Sequence, residues 1–206
     1  MLKTIDKENW ERKQLFNHFA NFKDPYFAVT IPFDVTKTHQ FSKDNNLSFF
    51  GVYLHACMIA INSVENLKYR ILEDKVVSYD VINASPTISR EDKTFGFSFV
   101  NYDKNLDVFL NNLHLEKQRI NNTDQLYPPK NGLDCIHCSA LPWVDFTGHK
   151  EPVSGLKDSV PKLAFGKAVK KNNQLKMNVA ISVNHALADG YHIGLFSEIF
   201  QKHLNK

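Results

Sequence analysis

His185, Ala186, Leu187, Ala188, Asp189 and Gly190 stand in a row, and the first and fifth of them carry side chains that exchange protons. An imidazole titrates near neutrality and can take a proton from a hydroxyl. A carboxylate four residues further on can orient that imidazole, cap a following helix or pair with a cation elsewhere. His-x-x-x-Asp is short and common, so by itself it reads first as a polar turn with an ordinary helix cap. Its setting decides what it is worth.

Leu175, Met177, Val179, Ile181 and Val183 alternate with Lys176, Asn178, Ala180, Ser182 and Asn184, the period of a half-buried strand. Ile193, Phe196, Ile199 and Phe200 then recur at helical spacing, with Asp189 and Gly190 where the strand must become a helix. The histidine therefore sits at a strand's exit, rigid enough to be aimed and open enough to meet a substrate. Residues 163–169 and the turn around Lys171, Asn172 and Asn173 make a hairpin with that strand. Residues 26–35 read as another strand, with Pro32 arguing for an edge or a bulge. Residues 47–64 are apolar around most of a helical circumference and predict a buried helix. Short strands are expected at 67–72, 75–82, 94–102 and, beyond the turn at Pro128 to Gly132, at 134–141. Leu106, Phe109, Leu110, Leu113 and Ile120 mark an amphipathic helix. Residues 5–20 form a weakly patterned helix that contains Arg12. Strands and helices are interspersed without regular alternation, so the fold class is α/β of the α+β kind, a mixed sheet covered by helices. One domain spanning 1–206 is expected.

The chain has 206 residues, 43% of them hydrophobic and 12% aromatic, which suits a globular protein. Its net charge of +3 is spread over lysines scattered among acids, unlike the basic face of a nucleic-acid binder, so no nucleic-acid partner is expected. The N-terminus is charged from Lys3 onward, and no window is apolar enough for a signal peptide or a membrane span. A cytoplasmic protein with no membrane partner is expected, and three cysteines, an odd number, fit a reducing compartment. Cys135 and Cys138 flank His137 in a Cys-x-x-Cys pair, yet positions three apart in a strand point to opposite faces. A structural zinc needs about four ligands, so no metal is expected. The chain has no phosphate-cradling glycine loop, and Ser139 lacks the Gly-x-Ser-x-Gly frame of a nucleophile elbow. What remains is His185 as a base for the hydroxyl of another molecule.

The stretch Val183 to His192, taken with Ser139-Ala-Leu-Pro-Trp-Val-Asp-Phe146 and Asn9-Trp-Glu-Arg-Lys13, resembles the chloramphenicol acetyltransferase family over nearly the whole chain. His-x-x-x-Asp-Gly alone is shared with a wider acyltransferase group that includes dihydrolipoyl acyltransferases; the Ser-Ala-Leu-Pro-Trp piece narrows the likeness. The resemblance implies that family's two-layer sandwich and acetyl transfer from acetyl-CoA, a co-substrate, to a hydroxyl of chloramphenicol, an activity that confers antibiotic resistance. It implies His185 as general base and Ser139 as the hydroxyl that stabilises the tetrahedral oxyanion. Asp189 would form a structural salt bridge with Arg12, and Trp143 would lie near the pantetheine arm of CoA, although an aromatic there reads equally as core. His18, Phe19, Phe95, Phe97, Tyr127 and His149 would line the acceptor pocket. A homotrimer with active sites between subunits is also implied.

The sequence departs from the family's pattern in places. Asn184 replaces the first of two adjacent histidines, and Ala164 stands where many members have a threonine that holds a water. His18, Phe19, Phe97, His149 and Glu151 occupy pocket positions that are elsewhere differently sized or more apolar. Two alternatives follow: the same chemistry on a different small hydroxyl acceptor, or a catalytically idle ligand-binding homologue.

Overall fold

The computed structural model describes residues 2–152 and 158–206. Along the chain come β1 (Leu2–Thr4), α1 (Lys13–Phe19), β2 (Tyr26–Asp34), α2 (Thr36–Asp44), α3 (Phe49–Ser63), β3 (Tyr69–Leu72), β4 (Lys75–Tyr79), β5 (Asn83–Ser89) and β6 (Phe95–Phe97). They are followed by α4 (Leu106–Asn121), β7 (Cys135–Ala140), β8 (Lys162–Lys171), β9 (Gln174–Asn184) and α5 (Gly190–Leu204).

The expected hairpin is built by β8 and β9, whose tip pairs Lys171 with Gln174. Asn172 and Asn173 both take the left-handed conformation, with φ of 48° and 63°. Asparagine tolerates that backbone better than other side-chain-bearing residues, and such a two-residue turn matches the twist of the strands it joins. Six strands form the main sheet in the order β2-β9-β8-β7-β5-β6. β7 runs parallel to both β5 and β8, and the other neighbours are antiparallel. β1, β4 and β3 make a small separate sheet.

The two faces of the main sheet differ in kind. Ile136, Cys138, Leu163, Phe165, Val179, Ile181 and Val183 point to one face and pack against Leu54, Met58 and Ile61 of α3 and Phe196 and Phe200 of α5. By strand alternation the opposite face presents Ser85, Thr87, His137, Ser139, Lys162, Ala164, Ala180 and Ser182. That face is small and polar, and the core helices cover only the other one, so the architecture is a two-layer sandwich as expected.

The sequence reading holds for β2, α3, α4, β7, β8, β9 and α5. Pro32 lies in β2, an edge strand of the sheet, where its missing N–H costs nothing. The helix expected over 5–20 is only Lys13–Phe19, because the stretch before it is drawn into the small sheet and the turn at Trp10. The strand expected over 94–102 shrinks to Phe95–Phe97. β5 and α2 carry no strong pattern: β5 contains Asn83, Ser85 and Pro86, and α2 is almost wholly polar. Cys135 packs with Phe99 and Val160, whereas Cys138 belongs to the main core, so the two thiols face apart as the spacing requires.

Arg70 fixes the start of β7. It is fully buried and donates to the carbonyl oxygens of Leu67, Tyr69, Leu133 and Cys135. Burial lowers its pKa to about 10, which still leaves it charged at neutral pH. Among the described residues its hydrogen bonds go to main-chain carbonyls alone, and the Asp158 carboxylate favours its charge from further off.

Candidate active site

Residues 185–189 connect β9 to α5, and every main-chain polar group in this turn has a partner. The His185 N–H donates to Pro25 O at 2.8 Å, and those of Leu187 and Ala188 donate to Asn184 O. The Ala186 N–H donates to Asn184 Oδ1, and the Asp189 N–H to His192 Nδ1. On the acceptor side, Arg12 Nη2 donates to His185 O at 2.8 Å and Arg12 Nε to Ala186 O at 3.0 Å. Asn66 Nδ2 donates to Leu187 O, and the N–H groups of His192 and Ile193 to Asp189 O. A turn without orphan groups has little reason to change shape.

The remaining carbonyl, Ala188 O, lies 3.1 Å from His185 Nδ1. Since a carbonyl only accepts, Nδ1 carries the proton and Nε2 is left with a lone pair directed away from the turn. The ring plane is fixed from the sides as well: Phe19 stacks on it at 4.0 Å between centroids and 15° between planes, and Phe27 flanks it at 4.6 Å. His18 packs edge-on to Phe19 at 4.7 Å. Beneath the turn, Ala186 and Leu187 pack with Phe16 of α1 and Val76 of β4, which is how α1 and the small sheet come to support the histidine.

Arg12 also binds Asp189 Oδ2 through Nη1 at 2.6 Å, with the arginine side chain only 8% exposed. Asp189 accepts from the Tyr191 N–H as the cap of α5. No contact of Asp189 with the imidazole of His185 accompanies these, so its carboxylate holds the turn and the helix end rather than the ring.

Ser139 stands on the open face of the sheet, in a cavity of about 380 Å³ that it shares with Phe95, Phe97, Tyr127, Ser85 and Thr87. Phe97 and Tyr127 lie nearly parallel at 5.4 Å, with Phe95 edge-on to Phe97. His137, Glu151 and Lys162 close the same cavity. His149 packs on Phe146 at 5.6 Å and lies 3.7 Å from Glu151. Ala164, the register partner of Ser139, is buried under Leu141 and Phe146, so no hydroxyl faces Ser139 from that position.

Trp143 is 75% exposed, which rules out the reading as a core aromatic. It stands on the segment that leaves β7 and crosses β8 at Gly166, where the Lys167 N–H donates to Val144 O at 2.9 Å. A Cβ on Gly166 would lie 3.1 Å from Asn178 O and 3.3 Å from Val144 O, so any side chain at this close crossing would make its neighbours give by a few tenths of an ångström. Beside this segment runs a groove of about 430 Å³ lined by Phe49, Phe50, Tyr53, Pro142 and Lys167, with Ala140, the residue after Ser139 in β7, also in its lining.

The predicted residues thus fall into two groups within one chain. Arg12, His18, Phe19, His185 and Asp189 cluster at one end of the sheet, and Ser139, Phe95, Phe97 and Tyr127 lie along its open face. Ser139 is level with Ala164 and Ala180 across β8 and β9, and His185 is five residues beyond Ala180. At about 3.3 Å per residue and 4.8 Å per strand, their Cα atoms are on the order of 20 Å apart. Sequence reasoning missed Phe27, Asn66, His137, Lys162 and Lys167, each of which joins a site through tertiary neighbours alone.

The family model described as chloramphenicol acetyltransferase matches residues 1–201. A chloramphenicol acetyltransferase of Bacillus pumilus is 28% identical over 201 residues, spanning 96% of this chain and 91% of the relative. Among solved structures, one of a chloramphenicol acetyltransferase superposes with a TM-score of 0.85 at 31% identity, covering 99% of this chain and all of that one. A probable dihydrolipoamide acetyltransferase from Listeria monocytogenes shares the fold, with a TM-score of 0.70 at 14% identity over 95% of this chain and 92% of the other. With a full-length family match and this geometry, the chain belongs to the chloramphenicol acetyltransferase family and is an acetyl-CoA-dependent acetyltransferase.

Proposed function

We propose that this enzyme acetylates a hydroxyl of chloramphenicol, with His185 as general base and Ser139 as the donor to the oxyanion. The observation that carries the reading is the hydrogen bond of His185 Nδ1 to Ala188 O, which leaves Nε2 as a lone pair held in place by a fully satisfied turn. Nε2 takes the proton of the acceptor hydroxyl as its oxygen attacks the thioester carbonyl. Ser139 Oγ–H donates to the oxyanion that develops there. As the C–S bond breaks, the imidazolium returns its proton to the departing thiolate, so His185 ends neutral and the products are the acetyl ester and free CoA.

Acetyl-CoA supplies the acetyl group, and the groove along Phe49, Tyr53, Pro142 and Lys167 fits its shape and charge. The apolar walls suit a pantetheine arm and the lysine suits a phosphate, and Ala140 in the lining is the β7 neighbour of Ser139. Trp143, exposed beside it, would close over the arm.

A base and an oxyanion donor that act on neighbouring atoms must both lie within about 3 Å of the reacting groups. A separation on the order of 20 Å within one chain forbids that, so His185 of one copy would face Ser139 of the next. A closed ring of three copies meets the requirement with one repeated interface, and His18 and Phe19 would then line the acceptor pocket from the neighbouring subunit.

Thiol release from acetyl-CoA, measured with and without chloramphenicol, tests the reading. Release should require chloramphenicol, fall about 10²–10⁴-fold in His185→Ala, and fall about 10–10³-fold in Ser139→Ala. Activity that survives His185→Ala would overturn the mechanism; a wild type silent with chloramphenicol would overturn the acceptor.

A further inference from the structure

Two cavities on the open sheet face share a wall. The one that holds Ser139 and the smaller one lined by Asp24, Tyr26 and Lys150 both include Glu151 and Lys162. Lys162 is paired with His137 across the ladder, and His137 is two residues before Ser139. The charged wall therefore begins about 7 Å from the oxyanion donor, close enough to touch the body of an acceptor whose hydroxyl is reacting.

The charges in this wall are not balanced alike. Lys162 Nζ lies 2.8 Å from Asp158, with its side chain 12% exposed, and sits over the Tyr26 ring at 4.8 Å. Lys150 binds Asp24 at 2.9 Å. Both cations are thus matched by carboxylates of their own. Glu151 has a different environment: among the described residues its nearest cation-capable neighbour is His149 Nε2, at 3.7 Å, beyond hydrogen-bond length. Its side chain is 23% exposed, so it is partly withdrawn from water, and among the described residues no hydrogen bond fills its oxygens.

We infer that Glu151 is a specificity-determining residue, and that the acceptor cavity selects hydroxyl compounds carrying an amine or another hydrogen-bond donor at the Glu151 wall. The inference rests on the proposed acetyl transfer at Ser139 and deepens it. An acceptor that puts a nitro or purely apolar group against Glu151 strips water from the carboxylate and returns no hydrogen bond. One that places an ammonium or N–H there replaces the lost water with a charge-assisted bond. The aromatic side of the cavity, Phe97 and Tyr127, holds an aryl ring in either case.

The test uses matched acceptors: chloramphenicol, its counterpart with the nitro group reduced to an amine, and the amino-diol left when the dichloroacetyl group is removed. O-acetylation by the wild-type enzyme is compared with Glu151→Leu and with the neutral isostere Glu151→Gln. The expected result is a crossover. Glu151→Leu raises kcat/KM for chloramphenicol and lowers it for at least one amino analogue, moving their ratio about tenfold or more, the scale of one hydrogen bond to a charged group. Glu151→Gln, which keeps the shape and loses the charge, should move the ratio the same way by less. Equal loss for all acceptors, or no change for any, would overturn the inference and assign Glu151 a merely structural place. Failure of the wild type with every acceptor would instead overturn the acetyl-transfer reading itself.

Discussion

Asp189 keeps its charge because of a neighbour rather than because of water. Burial works against ionisation, but the hydrogen bond from Arg12 and that from the Tyr191 N–H outweigh it and hold the carboxyl below its usual 3.8. A carboxyl with a depressed folded pKa stabilises the fold above its unfolded value and loses that contribution as the pH falls through the folded one. Asp189→Asn should therefore flatten the acid limb of a Tm-against-pH curve below about pH 4. At neutral pH it should cost about 2 kcal/mol, less than a fully buried pair because Asp189 is 30% exposed. Its kcat should drop while the pH-rate profile keeps its shape, since His185 carries the proton. A profile that loses or moves its acid limb would make Asp189 a proton-handling group after all. Asn184 is the residue whose place here is least foreseeable: it stands where a histidine is usual, yet its side chain accepts from Ala186 N–H and donates to Asp158 O.

Elements in this fold are placed by what they must carry. β9 delivers His185, β7 delivers Ser139, and the segment after β7 delivers Trp143 by crossing β8 at Gly166. Gly166→Ala would put a methyl 3.1 Å from both Asn178 O and the Phe146 ring, so the 141–146 segment should lift by a few tenths of an ångström. The expected outcome is a several-fold rise in KM for acetyl-CoA with kcat and the acceptor KM nearly unchanged. An unaltered KM for acetyl-CoA would detach Trp143 from the pantetheine arm. Strong periodicity made β9, α4 and α5 legible in the sequence, since each buries one continuous stripe, and α3 was legible as a long run apolar around most of its circumference. β5 and α2 were not legible: Pro86 and the polar residues around it occupy an interior strand that neighbours supply with partners, the Ser98 N–H and hydroxyl both donating to Pro86 O.

At the scale of the whole molecule, the site is proposed to be completed by a second copy, and that has a direct consequence. If the assembly is the proposed ring of three, His185→Ala and Ser139→Ala each impair every site of their own assemblies. When the two variants are unfolded and reassembled together in equal amounts, about a quarter of the sites should pair an intact histidine with an intact serine from different chains. Activity should return to roughly that fraction of wild type. No recovery from mixed trimers, confirmed as mixed by differently tagged chains, would mean that both groups act from one chain.

The sequence alone determined the kind of chemistry and the main elements: His185 at a strand exit, the hairpin at Asn172 and Asn173, the buried helix around Leu54, the capped helix after Asp189. The elements are local properties, set by side-chain period and turn conformation, and the chemistry was read from three short segments whose combination resembles one family. Only the tertiary structure decided how the histidine is held and what faces the serine. Arg12, Asn66 and Pro25 reach the 185–189 turn from distant parts of the chain. Glu151 and Lys162 meet in one cavity wall, and the spread between His185 and Ser139 is fixed by strand register. Hydrogen bonds and cavities join residues by distance in space, which sequence separation does not encode.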